Sequence, residues 1–159
     1  MLLPVLLDGL YEVIAMFKTL LGEPLRADGT RRTAIVMVAN EGVMDLMLNF
    51  VCSAKRAGIA LESLVVFVGQ PEYVPLVNSM GAHAIYHRAL GEIPREAAGG
   101  YGDITFARLM WLKTTSVYVA AAAGFDVLFQ DCDLVWIDDP VSVFLLFLLT
   151  SLLQYLLEI

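Results

Sequence analysis

Charge is scarce in this chain, and positive charge most of all. Of 159 residues only 17% are charged, with 10 Lys and Arg against 17 Asp and Glu, for a formal net charge of −7. No run of basic residues exists that would track a phosphate backbone, so nucleic acid is not expected as a partner. Cysteine is nearly absent as well. Cys52 and Cys132 stand far apart and belong to no CxxC pair or zinc-ligand spacing, which leaves the redox compartment undecided. None of Asn40, Asn49 and Asn78 opens an N-x-Ser/Thr glycosylation acceptor. The opening stretch MLLPVLLDGLYEVIAMF has no basic flank, and Asp8 and Glu12 interrupt it short of a signal-peptide core. Gly99-Gly100-Tyr101-Gly102 follows no strand directly and lacks the Lys-Ser/Thr of a phosphate loop. It reads as a mobile loop suited to a lid.

Apolar residues, by contrast, make up 58% of the chain, and mean hydropathy is +0.72. Disorder is excluded, and the length suits one domain with a sizeable core. Hydropathy this high raises the question of a membrane at the two ends. Leu6, Leu10, Val13, Ile14 and Phe17 recur at three and four, predicting an amphipathic helix that ends near Gly22-Glu23-Pro24 and packs on the domain. From Val141 to Leu157 no charge occurs, and Phe144 to Leu149 is unbroken Phe and Leu. This length is at the lower limit for spanning a bilayer core of about 30 Å, although Ser142, Thr150, Ser151 and Gln154 weaken the pattern. A membrane-inserted helix and a helix packed on protein both stay open, and with no flanking Lys or Arg orientation is unreadable.

Three segments follow: an N-terminal helix and linker (1–30), an α/β domain (31–140) and the apolar end (141–159). Between the ends, short apolar β-branched runs alternate with longer segments of helical period, the grammar of βαβ units and a mostly parallel sheet with flanking helices. Strands are predicted at 34–39, 64–68, 82–87 and 125–130. Helices are predicted at 43–57, with Gly58 as its stop, at 71–80, with Pro71 in its first turn, and from a cap at Asp103 to about Ala123.

The fourth strand delivers Asp131-Cys132-Asp133 at its carboxyl end. Residues i and i+2 of an extended chain point to one side, so the two carboxylates emerge together, their Cα atoms about 6.5 Å apart. Two adjacent anions call for a cation, and oxygen donors favour Mg²⁺ or Mn²⁺ over Zn²⁺. Open α/β sheets bind ligands at the carboxyl ends of their strands. The pair also lies between apolar stretches, where unpaired carboxylates are costly.

The segment Val127-Leu128-Phe129-Gln130-Asp131-Cys132-Asp133-Leu134-Val135-Trp136, closed by Asp138-Asp139-Pro140, resembles the nucleotide-diphospho-sugar transferase family, of the family 77 glycosyltransferase type. The resemblance extends upstream to Ala39-Asn40, Asn49, Cys52, Tyr101-Gly102-Asp103, Thr105-Phe106 and Lys113, covering about residues 31–140. It implies a Rossmann-like GT-A fold and transfer of a sugar, with retention, from a nucleotide-sugar donor to a glycan or protein acceptor in a Golgi or endoplasmic-reticulum membrane setting. It further implies a divalent cation, usually Mn²⁺, held on the donor diphosphate by Asp133 directly, and by Asp131 directly or through water or the ribose. The loop Ala39-Asn40-Glu41-Gly42 would lie beside the nucleotide. Cys132 stands where the family usually carries an aliphatic residue. Members continue well beyond the carboxylate pair, whereas 19 residues follow Pro140 here, so the chain reads as truncated after that strand, a donor-binding half.

Other residues are weighed against plainer roles. Lys113 shares a face with Phe106, Leu109, Met110 and Val117, so its ammonium either reaches the diphosphate or a strand-end Asp, or snorkels to solvent. Trp136 either stacks on a base or sugar or packs in the core. His83 and His87, in a strand, stand roughly 13 Å apart and have structural roles. Two other functions fit the motif: a haloacid-dehalogenase-like phosphatase with Asp131 as nucleophile, and a non-catalytic membrane-associated scaffold.

Overall fold

The computed structural model describes residues 2–143 and residue 147. Four parallel strands, β1 (Thr33–Ala39), β2 (Leu64–Val68), β3 (His83–Ile85) and β4 (Asp126–Phe129), form one sheet in the order β3-β2-β1-β4. Helices α1 (Leu2–Leu21) and α4 (Ile104–Ala122) cover one face, and α2 (Met44–Arg56) and α3 (Val74–Ser79) the other. This is the α/β, Rossmann-like architecture predicted from the alternation of runs.

The alternation of side chains along β1 explains the layering. Ala34, Val36 and Val38 join Val13, Phe17 and Leu21 of α1 and Leu109, Leu112, Val119 and Ala120 of α4 in one core. Ile35, Met37 and Ala39 face Met47, Phe50, Val51 and Ala54 of α2 in the other. Both central strands are buried on both faces, which is why they read as continuous apolar runs.

Local chemistry sets the element ends. Gly58 (φ 72°) and Gly81 (φ 84°) adopt the left-handed conformation that stops α2 and α3. The segment predicted as one helix over 71–80 begins with a 3-10 turn at Pro71–Tyr73 before α3. The third strand is shorter than predicted, because only Val65, Val66 and Phe67 of β2 pair with it. α1 packs on the domain as expected: its Gly9 faces Ala89 so closely that an added Cβ would collide. His87 hydrogen-bonds Glu12 of α1 at 2.9 Å and accepts from Ala89 N, the structural role read from sequence.

Among the described residues no helix is long and apolar enough to cross a membrane. Most of the apolar end, residues 144–146 and 148–159, on which the choice between a membrane helix and a packed helix turns, lies outside the described residues.

Strand order places the site. The chain runs outward from β1 to β2 and β3, then crosses back to β4 on the other flank of β1. A crevice opens at the carboxyl ends of β1 and β4, between the start of α2 and α4. That reversal is where open α/β sheets bind ligands.

Candidate functional site

The site is built from the end of β4 outward. Gln130 continues the ladder one residue past the strand, its N–H donating to Val36 O at 2.8 Å. Its side chain is buried and satisfied at both ends: Nε2 donates to Asp131 O at 2.7 Å, and Oε1 accepts from Trp136 Nε1 at 2.8 Å. Trp136 in turn packs edge-on against Phe50 of α2, ring centroids 4.8 Å apart. The turn carrying the two carboxylates is thus fixed to the core by a Trp–Gln–backbone chain.

The opposite wall starts at Asp103, the N-cap of α4. Its Oδ1 accepts from Phe106 N at 2.6 Å, and its Oδ2 from Gly99 N at 2.6 Å and Gly100 N at 3.1 Å. These donors, Phe106 N–H foremost, hold the Asp103 carboxyl below the ordinary carboxylate range. The cap starts α4, and with Leu112, Val119 and Ala120 packed on the sheet, Phe106, Leu109, Met110 and Lys113 line the cleft with the carboxylates.

Between these walls lies a cleft of about 380 Å³, lined by that face of α4, by Tyr101, by Val38 at the end of β1, by Val43 and Leu46 at the start of α2, and by Asp131, Cys132 and Asp133. Lys113 forms an ion pair with Asp131, and its Nζ lies 5.6 Å from the Phe129 ring centroid. The side chain of Lys113 is 27% exposed and that of Asp131 48%. Asp133 is exposed, and among the described residues it makes no ion pair or side-chain hydrogen bond. The Cys132 thiol is pushed up by burial and, next, by the Asp133 charge, so it stays protonated and is a poor nucleophile. Tyr101, 96% exposed, stands at the mouth and meets Phe106 edge-on at 5.1 Å.

The donor chemistry fits a hard divalent cation. Among the described residues no group of three or more His, Cys, Asp or Glu is placed to hold a metal; Asp131 and Asp133 are the carboxylates lining this cleft that could meet a cation. Two carboxylates in an open cleft suit Mg²⁺ or Mn²⁺, which take their remaining ligands from water and phosphate oxygens.

Four residues named from the sequence are placed elsewhere than beside a donor. Ala39, Asn40 and Glu41 do not line the cleft, whereas Val38 and Val43 on either side of them do. Ala39 is core. Asn40 is fully buried and donates through Nδ2 to Pro94 O at 2.7 Å and Glu96 O at 2.8 Å. Two carbonyl acceptors demand the NH₂ end of the amide, which leaves its Oδ1 without a partner among the described residues. Glu41 pairs with Arg95, which also pairs with Glu72, and Gln70 Nε2 donates to Ile93 O at 2.9 Å. Together these residues strap loop 93–97 over the ends of β1 and β2. Trp136 is likewise a core residue and not a stacking platform, 8% exposed with its N–H already used. Lys113, in contrast, pairs with Asp131, and Asp133 lines the same cleft. Cys132 and Asp133 form a turn past β4 and not the extended continuation expected, so i, i+2 alternation does not place the two carboxylates.

Sequence reasoning missed the apolar wall, since Phe106, Leu109 and Met110 have the spacing of a core face, and missed Gln130, whose signal is a lone amide closing an apolar strand. A second depression of about 370 Å³ lies at the foot of β1, lined by Thr33, Gly58, Glu62 and Asp138 among others. It is at the wrong end of the strands for a ligand site of this fold.

A family model described as nucleotide-diphospho-sugar transferase matches residues 60–152, from just before β2 through the carboxylate turn. No curated protein and no solved structure matches the chain.

Proposed function

We propose that this chain, which belongs to the nucleotide-diphospho-sugar transferase family, seats the diphosphate of a sugar nucleotide in the cleft between β1 and β4 for transfer of the sugar to an acceptor. The observation that carries the reading is the convergence of Asp131, Asp133 and Lys113 on one open cleft at the strand-order reversal.

Asp131 and Asp133 are the residues that would hold a divalent cation, which when bound stabilises negative charge growing on the leaving diphosphate. Lys113 supplies a positive charge fixed to α4 on the same side. Such a charge favours the transition state over the ground state, because the leaving oxygens gain charge as the glycosidic bond breaks. Leu109, Met110 and Val38 form an apolar wall that lowers the local dielectric on one side of the cleft and strengthens these interactions. Tyr101 at the mouth presents an aromatic face suited to a base or sugar ring. The Asp103 cap and the Gln130–Trp136 chain hold the two walls in register.

A thermal-denaturation panel of nucleoside diphosphates with and without Mn²⁺ tests the reading. A ligand at about 100 times its Kd adds roughly 2.7 kcal/mol of stability, or about 5–11 °C in melting temperature for a domain of this size. Stabilisation that needs both Mn²⁺ and nucleotide, and is lost in Asp133→Ala, is expected. No stabilisation by any nucleoside diphosphate with Mn²⁺ overturns it.

A further inference from the structure

The Lys113–Asp131 ion pair has a consequence for how the cleft fills. One of the two carboxylates on offer to a cation is already engaged by an ammonium group, while the other, Asp133, stands free in the cleft. Lys113 is held there from two sides: Asp131 meets its Nζ, and the Phe129 ring lies 5.6 Å from it. It shares the cleft with Leu109 and Met110, apolar residues that offer an ammonium no partner. We propose that Lys113 is a resident placeholder cation, which blocks Asp131 until an incoming diphosphate draws the ammonium away. Metal and nucleotide binding are thereby made mutually dependent.

Electrostatics dictates the coupling. With Lys113 paired, the three side chains carry a net charge of −1, and a divalent cation entering alone meets the repulsion of the ammonium. A diphosphate brings several negative charges into the same cleft. Lys113 then exchanges one anionic partner for another, Asp131 is released, and both carboxylates face the cation. By linkage the cation must raise diphosphate affinity by the same factor that diphosphate raises cation affinity.

The inference rests on the proposed function but has its own test. Free Mn²⁺ is followed by electron paramagnetic resonance during titration of the full chain, with and without uridine diphosphate, in wild type, Lys113→Met and Lys113→Gln. Met keeps the stem and suits the apolar face, and Gln guards against an effect peculiar to Met. In wild type, uridine diphosphate is expected to tighten Mn²⁺ binding at least tenfold. Both variants are expected to bind Mn²⁺ alone about five- to tenfold more tightly than wild type, and to lose most of the coupling. Unchanged or weaker binding of Mn²⁺ alone in both variants, with uridine diphosphate still binding wild type, overturns the placeholder and leaves the proposed function standing. Failure of wild type to bind any nucleoside diphosphate overturns that function instead.

Discussion

Replacing Trp136 with Phe removes one N–H from the core, and its cost follows from what that N–H does. Trp136 is 8% and Gln130 7% exposed, and the indole Nε1 is the donor to Gln130 Oε1 at 2.8 Å. Without it a buried acceptor is left unpartnered, costing about 1–3 kcal/mol. The smaller ring gives up roughly 1 kcal/mol more in buried apolar area and edge contact with Phe50. A total of about 2–4 kcal/mol corresponds to a fall of roughly 4–16 °C in melting temperature for a domain of this length. Urea denaturation followed by circular dichroism measures the loss, and a double-mutant cycle with Gln130→Leu isolates the bond. The double variant should be more stable than the sum of the single losses predicts, by at least about 1 kcal/mol, because Gln130→Leu removes the acceptor that Trp136→Phe strands, while the lost Gln130 Nε2 bond to Asp131 O is common to the single and double variants and cancels. Additivity within about 0.5 kcal/mol would refute the reasoning.

Three further outcomes are expected. Gly42→Ala places a Cβ against the backbone of Glu96 and Ala97 and should cost about 1–3 kcal/mol, whereas Gly100→Ala, which meets nothing within 4 Å, should be neutral in the same urea titration. Because Asp103 is held below the ordinary carboxylate range of about 4 when folded, its contribution is complete above that range and is lost as pH falls through the lower, folded value. Asp103→Asn, which keeps the cap but not the charge, should flatten this acid dependence of the urea midpoint, and an unchanged pH profile would contradict it. Cys52 is exposed and Cys132 partly buried with its thiol pushed up. Iodoacetamide with mass mapping should therefore modify Cys52 first, and Mn²⁺ with a nucleoside diphosphate should protect Cys132 alone.

The fold was legible where burial follows period. The double-sided burial of β1 and β2 writes continuous apolar runs, and β2 falls at the residues predicted, Leu64–Val68. The charge on an otherwise apolar face of α4 signalled that Lys113 needs a partner, and Asp131 is that partner. What was not legible depends on distant backbone. Nothing near Asn40 in the sequence announces that its amide meets carbonyls 54 and 56 residues away, so the resemblance alone put its loop beside a nucleotide. Of the two roles the sequence left open for Trp136, core packing holds, and the choice is set by Phe50 of another helix. Likewise β3 stops early because only three residues of β2 pair with it, and no periodicity in its own sequence encodes that.

The central claim is that Asp131 and Asp133 together hold a divalent cation on a sugar nucleotide's diphosphate. A crystal grown with Mn²⁺ and a nucleoside diphosphate, with data collected at the manganese absorption edge, tests it most directly. The account predicts one anomalous peak at the carboxyl end of β4, bonded to carboxylate oxygen of that pair at about 2.2 Å and to diphosphate oxygen. Manganese and diphosphate bound elsewhere on the molecule, with Lys113 still seated on Asp131, would contradict it.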